Sequence, residues 1–138
     1  MKIELTVKQK IKKINRSRLF SQARKICDLL DLPDKTISIL LCDDPQIKVF
    51  NKKFFNRDVF TDVIAFPLDD ERYFGEIIIS LERAVKVCGK YNNTWQDEFL
   101  TYLVHGILHL CGFEDTTAAK KKKMFKKQDQ VFGMLRGR

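Results

Sequence analysis

Two strand-like runs stand close together in the middle of the chain, and their spacing limits the folds open to it. The runs "TDVIAF" and "FGEIIIS" are separated only by the polar stretch "PLDDERY". A connection this short between two such runs predicts an antiparallel hairpin. The other two strand-like segments are the alternating Ile3, Leu5 and Val7 and the apolar run "TISILLC". Each of these two is followed by a helical pattern instead.

Apolar residues at helical spacing predict the remaining elements. One helix carries Leu19, Ala23 and Ile26 and stops at Pro33, and a second starts at "DDPQ", where we expect Asp44 as the N-cap and Pro45 as the first helical residue. The buried face of that second helix is expected to hold Ile47, Phe50 and Phe54. Three more helices follow: one ends near Gly89, one is capped by Thr94 and closed by Gly112, and the last starts at Thr116 or Thr117. The order β-α-β-α-β-β-α-α-α predicts an α+β fold, a single domain over residues 1–138 with a mixed four-stranded sheet packed by about five helices.

Charge and cysteine usage narrow the class of protein. The formal net charge is +8 and the hydrophobic content 44%, which indicates a folded domain that meets polyanions such as RNA, DNA or acidic membrane surfaces, and charge alone does not choose between them. The four cysteines are widely spaced without a C-x-x-C pair and lie in apolar runs, where reduced cysteine behaves as a small hydrophobe. No run of about 18 apolar residues occurs, and the first residues lack the apolar core of a signal peptide. We therefore expect a reduced, cytoplasmic protein that does not span a membrane.

The stretch "VHGILHLCGFED" contains the only two histidines of the chain, His105 and His109. Residues four apart share one face of a helix, so both imidazoles can reach one ion. A left-handed Gly112 can reverse the chain and bring Asp115 back towards that face. Two imidazoles and one carboxylate are zinc ligands, and three protein ligands leave a fourth position for water, as in catalytic sites. The pattern predicts a metal site at the C-terminal end of a central helix.

Other interpretations of this stretch exist. Metzincin proteases share the spacing but carry a glutamate base directly after the first histidine, where this chain has Gly106. A peptidase is therefore disfavoured. Two histidines in a helix can also be polar residues at the edge of a core, and Glu114 is a second candidate for the third ligand.

Three blocks of the sequence resemble the YbeY family of bacterial endoribonucleases, the rRNA maturation factors. "HGILHLCGFED" is similar to the family's H-G-x-L-H-L-x-G-Y/F-D-H, "NKKFFNRDVFTDVIAFP" to N-x-x-x-x-x-R-x-x-x-x-T-D-V-L-S-F-P, and "FGEIIIS" to L-G-D-I-x-I-S. The blocks occur in the family's order. The resemblance departs at one point, because Asp115 stands where the family has its third metal-ligand histidine.

The resemblance implies a metal-dependent endoribonuclease, specific for single-stranded RNA, that acts in maturation of the 16S rRNA 3′ end and in ribosome quality control. It implies that His105, His109 and Asp115 hold one divalent ion, most simply zinc, with other ions possible because of Asp115. It makes Arg57 and His105 the catalytic residues, with Arg57 close to the metal cleft. Thr61 and Asp62 are expected to shape that cleft, and Ser80 to be structural. The implied partners are rRNA and ribosomal or small-subunit proteins, and a monomer is expected. The alternative is a ribosome-associated RNA-binding factor with weakened catalysis, with Asp115 as the trace of that loss.

A basic segment, "KKKKMFKK", follows the proposed site. Eight basic residues between Lys120 and Arg138 face one acid, Asp129. Such an imbalance favours contact with phosphates. A solvated helix face and a basic membrane-surface helix are the competing interpretations.

Overall fold

The computed structural model describes residues 1–137. Its elements are β1 (Lys2–Val7), α1 (Arg16–Leu29), β2 (Thr36–Cys42), α2 (Asp44–Phe55), β3 (Val63–Pro67), β4 (Tyr73–Ser80), α3 (Leu81–Cys88), α4 (Trp95–Leu110) and α5 (Ala118–Gly137), with a short 3-10 turn at Gly89–Tyr91. The predicted α+β order is confirmed, and the 3-10 turn is the one addition to it.

The four strands form one mixed sheet in the order β1-β2-β4-β3. β1 pairs with β2 and β2 with β4 in parallel, whereas β3 and β4 pair antiparallel, with Val63 opposite Ile79 and Pro67 opposite Gly75. The predicted hairpin and the mixed character of the sheet are therefore both confirmed. β3 forms one edge of the sheet.

The two faces of the sheet are covered unequally. The larger core joins one face of β1, β2 and β4 to buried residues of α1, α3, α4 and α5, among them Leu19, Ile26, Leu103 and Ile107. The smaller core on the other face gathers Cys42, Ile64 and Ile78 around Ile47 of α2. The central helix α4 thus runs buried beneath the sheet, and its C-terminal end emerges near the β3 edge.

Glycines allow α4 to approach the sheet closely. A Cβ on Gly106 would lie 2.9 Å from Cγ2 of Ile77 and 3.3 Å from Cγ2 of Val63. On the strand side, a Cβ on Gly75 would meet the side chain of Leu110. Ile77 is fixed in the core, so a side chain at position 106 would push the helix away from the sheet. This packing excludes the glutamate that a metzincin needs at this position.

Two predictions at α2 are wrong. The N-cap is Asp43, whose side chain accepts a hydrogen bond from the backbone N–H of Gln46 at 2.9 Å, and Gln46 closes a capping box. Asp44 is the first helical residue instead, because its side chain is drawn into tertiary contacts. Phe54 is 48% exposed rather than buried. It lies two turns after Ile47 on the same helical face, but it packs on the rings of Phe50 and Phe66 at the margin of the smaller core.

The four cysteines are free thiols, and burial raises the pKa of Cys27 and Cys42 to about 12. Protonated thiols are poor nucleophiles and poor metal ligands at neutral pH. Within residues 1–137, the structure contains no helix with the length and apolar character needed to cross a membrane.

Candidate active site

The two histidines lie in the last two turns of α4. Thr94 caps the start of this helix, as predicted, by accepting a hydrogen bond from the backbone N–H of Asp97 at 3.1 Å. His105 and His109 are one turn apart, with side chains that are 19% and 25% exposed and ring centroids 4.6 Å apart. The same helical face therefore presents both rings.

The turn after α4 brings Asp115 to the histidines. Gly112 has φ of +95°, so the predicted left-handed residue is confirmed. The N–H of Gly112 donates to the carbonyl of His109 at 3.0 Å, and the N–H of Phe113 donates to the carbonyl of Leu108 at 3.1 Å. This pair of bonds is a Schellman motif, which satisfies the free carbonyls of the helix end. The chain reverses there and returns Asp115 towards the imidazoles.

Three side chains converge at this end of the helix. The Nε2 atoms of His105 and His109 are 3.0 Å apart, and the Oδ2 atom of Asp115 lies 3.9 Å from each. Tetrahedral zinc with bonds of about 2.0–2.2 Å places its ligand atoms roughly 3.3 Å apart. The observed separations lie on either side of that distance. In the part of the chain that the structure describes, this is the one group of three such side chains whose ligand atoms lie within 4.8 Å of one another.

Hydrogen bonds on the outer nitrogens prepare both rings for a cation. Nδ1 of His109 lies 3.0 Å from the carbonyl oxygen of Phe113, which can only accept, so this nitrogen carries the proton. Nδ1 of His105 lies 3.1 Å from Oε1 of Gln128 on α5. When both neutral rings carry their proton on Nδ1, the Nε2 lone pairs of His105 and His109 face the same point. At 3.0 Å the two nitrogens can share a proton when one ring is protonated at Nε2, and when both rings carry the proton on Nδ1 the two free lone pairs fit a metal ion.

The electrostatic surroundings keep His109 neutral. Burial and the neighbouring His105 lower the pKa of His109 below its ordinary value of 6.5, against the opposing effects of Asp115 and the Phe113 hydrogen bond. A neutral imidazole is the form that binds metals. The partial negative charge at the C-terminal end of α4 also favours a cation there.

A cleft of about 410 Å³ opens beside the cluster and contains Arg57. Its lining comes from the end of α2, the following loop, the β3 edge and the group of histidine and aspartate side chains. The lining residues are Asn51, Phe55, Arg57, Val59, Phe60, Thr61, Val63, Ile64, Ala65, His109 and Asp115. Arg57 follows Asn56, which takes a left-handed conformation with φ of 55° and ends α2. The buried side chain of Asn51 donates to the Val59 carbonyl at 3.0 Å and ties the loop to the helix. Arg57, His109 and Asp115 therefore face one cavity.

The remaining predicted residues have structural contacts. Asp62 accepts hydrogen bonds from the Val63 N–H at 2.7 Å and the Thr61 hydroxyl at 3.2 Å, where the chain enters β3. Ser80 caps α3, accepting from the Arg83 N–H at 3.3 Å. Glu114 lies 2.7 Å from Nζ of Lys120, which lowers the pKa of its carboxyl group. The cluster is thus completed by Asp115 and not by Glu114.

Sequence reasoning missed two residues around this site. Gln128 is 9% exposed and sits on α5 among lysines, where no sequence signal marks it as a partner of His105. Arg83 binds Asp44 and covers the ring of Phe60 at 4.3 Å. Spacing alone could not have found either one, since both act across elements far apart in the chain.

Similarity to known proteins extends over nearly the whole chain. The profile of the family Endoribonuclease YbeY matches residues 2–136. Endoribonuclease YbeY of Endomicrobium trichonymphae is 40% identical over 99 residues, covering 72% of this chain and 70% of that protein. Endoribonuclease YbeY of Petrotoga mobilis is 34% identical over 140 residues, covering 98% of this chain and 96% of that protein.

A solved structure is similar as well. The solution structure of TM1509 from Thermotoga maritima matches with a TM-score of 0.63 and 28% identity, covering 97% of this chain and 91% of that one. The resemblance drawn from three short motifs is therefore confirmed over the whole fold. This chain belongs to the YbeY family of endoribonucleases.

Proposed function

We propose that this chain is a metal-dependent endoribonuclease that cuts single-stranded RNA during rRNA maturation. The observation that carries the proposal is the cleft shared by Arg57, His109 and Asp115, with Nε2 of His105 3.0 Å from that of His109. The names of its relatives give RNA as the substrate class. The 16S 3′ end, ribosome quality control and contact with small-subunit proteins are the specific roles that we infer from the same family.

His105, His109 and Asp115 are the proposed metal ligands, and zinc is the proposed ion. When bound, such an ion polarises a phosphoryl oxygen and acidifies water. The contacts of the two Nδ1 atoms with Gln128 and the Phe113 carbonyl orient the rings and support this assignment, because they leave both Nε2 atoms directed at the proposed ion. Asp115 adds a negative charge, leaving a net charge of about +1 on a divalent ion and making it a weaker Lewis acid than with three neutral ligands. We expect slower cleavage or a higher working pH than with histidine at this position.

Arg57 is the proposed phosphate-binding catalytic residue. It is exposed in the cleft, and a guanidinium can hold two phosphate oxygens at once and stabilise the charge that builds up during cleavage. His105 is proposed as catalytic only through its part in the metal centre.

Single-turnover cleavage of a single-stranded RNA tests the proposal. The metal-loaded protein should cut, chelation should abolish cutting, and zinc should restore it. Arg57→Ala should reduce the cleavage rate at saturating RNA much more than it weakens binding, because the interaction acts in the transition state. Arg24→Ala removes an exposed arginine of α1 outside the cleft and serves as the matched control. Wild-type rates for Arg57→Ala at saturation would exclude Arg57 from catalysis.

The RNA-binding alternative rests on Asp115 and gives different results. A factor that has lost catalysis would bind RNA but take up less than one ion per chain, and added zinc would not start cleavage. Asp115→His restores the family pattern and should keep or tighten zinc binding, whereas Asp115→Ala should weaken it markedly. Equal zinc affinity in Asp115→Ala and wild type would show that Asp115 is not a ligand.

A further inference from the structure

Two exposed phenylalanine rings line the same cleft as Arg57. Phe55 is 48% exposed and Phe60 is 50% exposed, and both take part in the cavity wall together with His109 and Asp115. Val59, also 50% exposed, lies between them along the chain and lines the same wall. An apolar wall of this kind beside a polar centre indicates a binding surface.

Phe60 is held by a series of fixed contacts. The guanidinium of Arg83 lies over its ring, 4.3 Å from the centroid. Nη2 of Arg83 donates to Oδ2 of Asp44 at 2.6 Å, and Oδ1 of Asp44 accepts from the Ser80 hydroxyl at 2.8 Å. Asp44 is only 6% exposed and belongs to α2, whereas Ser80 and Arg83 belong to the β4–α3 junction. The half-exposed ring is therefore supported from the interior, in a contact that is itself attractive.

Phe55 is placed by the end of α2. It is the last residue of that helix, and the left-handed Asn56 turns the chain so that Phe55 and Arg57 both reach the cleft. Its neighbour Phe54 is equally exposed at 48% but packs in a different direction, 5.2 Å from the Phe66 ring and 6.2 Å from the Phe50 ring. Phe54 is absent from the cavity wall.

The positive charge of Arg57 beside the two rings favours a nucleic acid as the ligand of this surface. Arg57 lies between the two rings in sequence and is the cation in the cavity wall. Proteins bind single strands by combining cations, which follow the phosphate backbone, with aromatic rings, on which bases stack. Every unpaired base offers a face for such stacking. Paired bases hide those faces within the duplex.

We propose that Phe55 and Phe60 are stacking platforms for unpaired bases on either side of the phosphate bound by Arg57. The proposal rests on the proposed function in that it takes RNA as the ligand of the cleft. It assigns the preference for single strands to these two rings, and it distinguishes the cleft from the lysines of α5, which are predicted to contact phosphates.

The test compares two oligonucleotides of roughly ten nucleotides, one intact and one with its central bases removed to leave abasic sugars. Both carry a cleavage-resistant 2′-O-methyl phosphorothioate backbone, and affinities are measured by fluorescence anisotropy with the full, metal-loaded chain. Phe55→Leu and Phe60→Leu keep an apolar side chain but lose the ring. Each should bind the intact oligonucleotide about 5- to 10-fold more weakly than wild type. Neither should change binding of the abasic oligonucleotide.

Two controls keep the comparison interpretable. Phe54→Leu removes an equally exposed ring outside the cavity wall and should leave both affinities unchanged. Phe60→Tyr keeps the ring and should retain wild-type affinity for the intact strand, which separates stacking from a general loss of structure.

The outcomes separate this proposal from the proposed nuclease activity. Wild-type affinity for the intact strand in both leucine variants would overturn it, and so would an equal loss on both strands. The patch would then be a contact for another protein. If base-dependent binding is lost as expected but the metal-loaded wild type cuts no RNA, the stacking proposal stands and the nuclease proposal fails.

Discussion

Two polar clusters, one at the β4–α3 junction and one at the end of α4, differ in how many of their polar groups have a hydrogen-bond or ion-pair partner within the cluster. At the β4–α3 junction, the carboxylate of Asp44 accepts from Ser80 at 2.8 Å and Arg83 at 2.6 Å, with Lys86 at 3.7 Å. Every polar group there has a partner of opposite character, and nothing further is needed. At the end of α4, the Nε2 atoms of His105 and His109 lie 3.0 Å apart, and the half-exposed carboxylate of Asp115 lies 3.9 Å from each of them, beyond hydrogen-bond distance.

The difference separates a structural cluster from a binding one. A closed cluster joins elements, as Asp44 joins α2 to α3, and its removal should cost stability. An open cluster contains acceptors that lack a shared donor, and its removal should cost ligand binding instead. The two clusters should therefore respond to mutation in opposite ways.

The largest effect is expected at the open cluster. His109→Ala removes one of three ligands and should abolish stoichiometric zinc binding, measured by metal analysis of untagged protein. The free energy of unfolding of the metal-free protein should fall by only about 1–2 kcal/mol, for the lost hydrogen bond to the Phe113 carbonyl and part of the packing of a ring that is 25% exposed. Equal metal content in wild type and variant would show that the site is elsewhere.

The closed cluster should respond in the opposite way. Asp44→Asn removes the anion but leaves the Arg83 guanidinium in place, and should lower the free energy of unfolding by about 2–4 kcal/mol, near the lower part of the range for a buried pair because Arg83 retains contact with solvent. Urea denaturation measures the change. Zinc stoichiometry should remain that of wild type, and a loss of zinc would contradict the division into two clusters.

The stability difference between wild type and Asp44→Asn should depend on pH through the charge on Asp44. Burial would raise the pKa of its carboxyl group, but the hydrogen bonds from Arg83 and Ser80 and the charges of Arg83 and Lys86 lower it below 3.8. A depressed pKa means that the stabilisation is fully present above 3.8 and is lost as the pH falls through the folded-state value. The stability difference between wild type and Asp44→Asn should therefore be constant near neutrality and shrink below pH 3.8.

A smaller effect is expected at Gln128, which orients His105. Gln128→Leu should weaken zinc affinity by about 10- to 100-fold, as is typical when the partner of a ligating histidine is removed. Gln128→Glu keeps an acceptor for the His105 N–H and should largely preserve the affinity. Isothermal titration with zinc measures both. Equal affinity for the leucine variant and wild type would show that the His105 ring needs no such partner.

The smallest effect is expected on the basic helix. The affinity for single-stranded RNA falls as salt rises, and replacing Lys120, Lys121, Lys122 and Lys123 with glutamine should make this fall less steep. The slope of log affinity against log salt should lose about 0.7 in magnitude for each phosphate that these lysines neutralise. A control variant removes the same charge at the exposed Lys10, Lys25, Lys48 and Lys90. A slope equal to that of wild type in the first variant would make the α5 lysines a solvated face only.

The order of elements could be predicted because each depends on neighbours in the chain. The hairpin followed from a short polar connection, and the caps at Thr94 and Gly112 followed from residue types with one favoured role at helix ends. The spacing of His105 and His109 and the returning Asp115 were visible for the same reason. The prediction at Asp44 was wrong because a capping preference was outweighed by a partner distant in sequence, since Asp44 and Arg83 are 39 residues apart.

The sequence by itself determined the fold class, the family and the three side chains proposed to hold a metal, since these depend on periodicity and on spacings of a few residues. The support of His105 by Gln128 from 23 positions away and the support of Phe60 by Arg83 follow only from the packing of separate elements. The physical reason is that local spacing is set by the backbone geometry of a single element. Contacts between elements are set by how the whole core packs, which Gly75 and Gly106 control by letting α4 lie against the sheet.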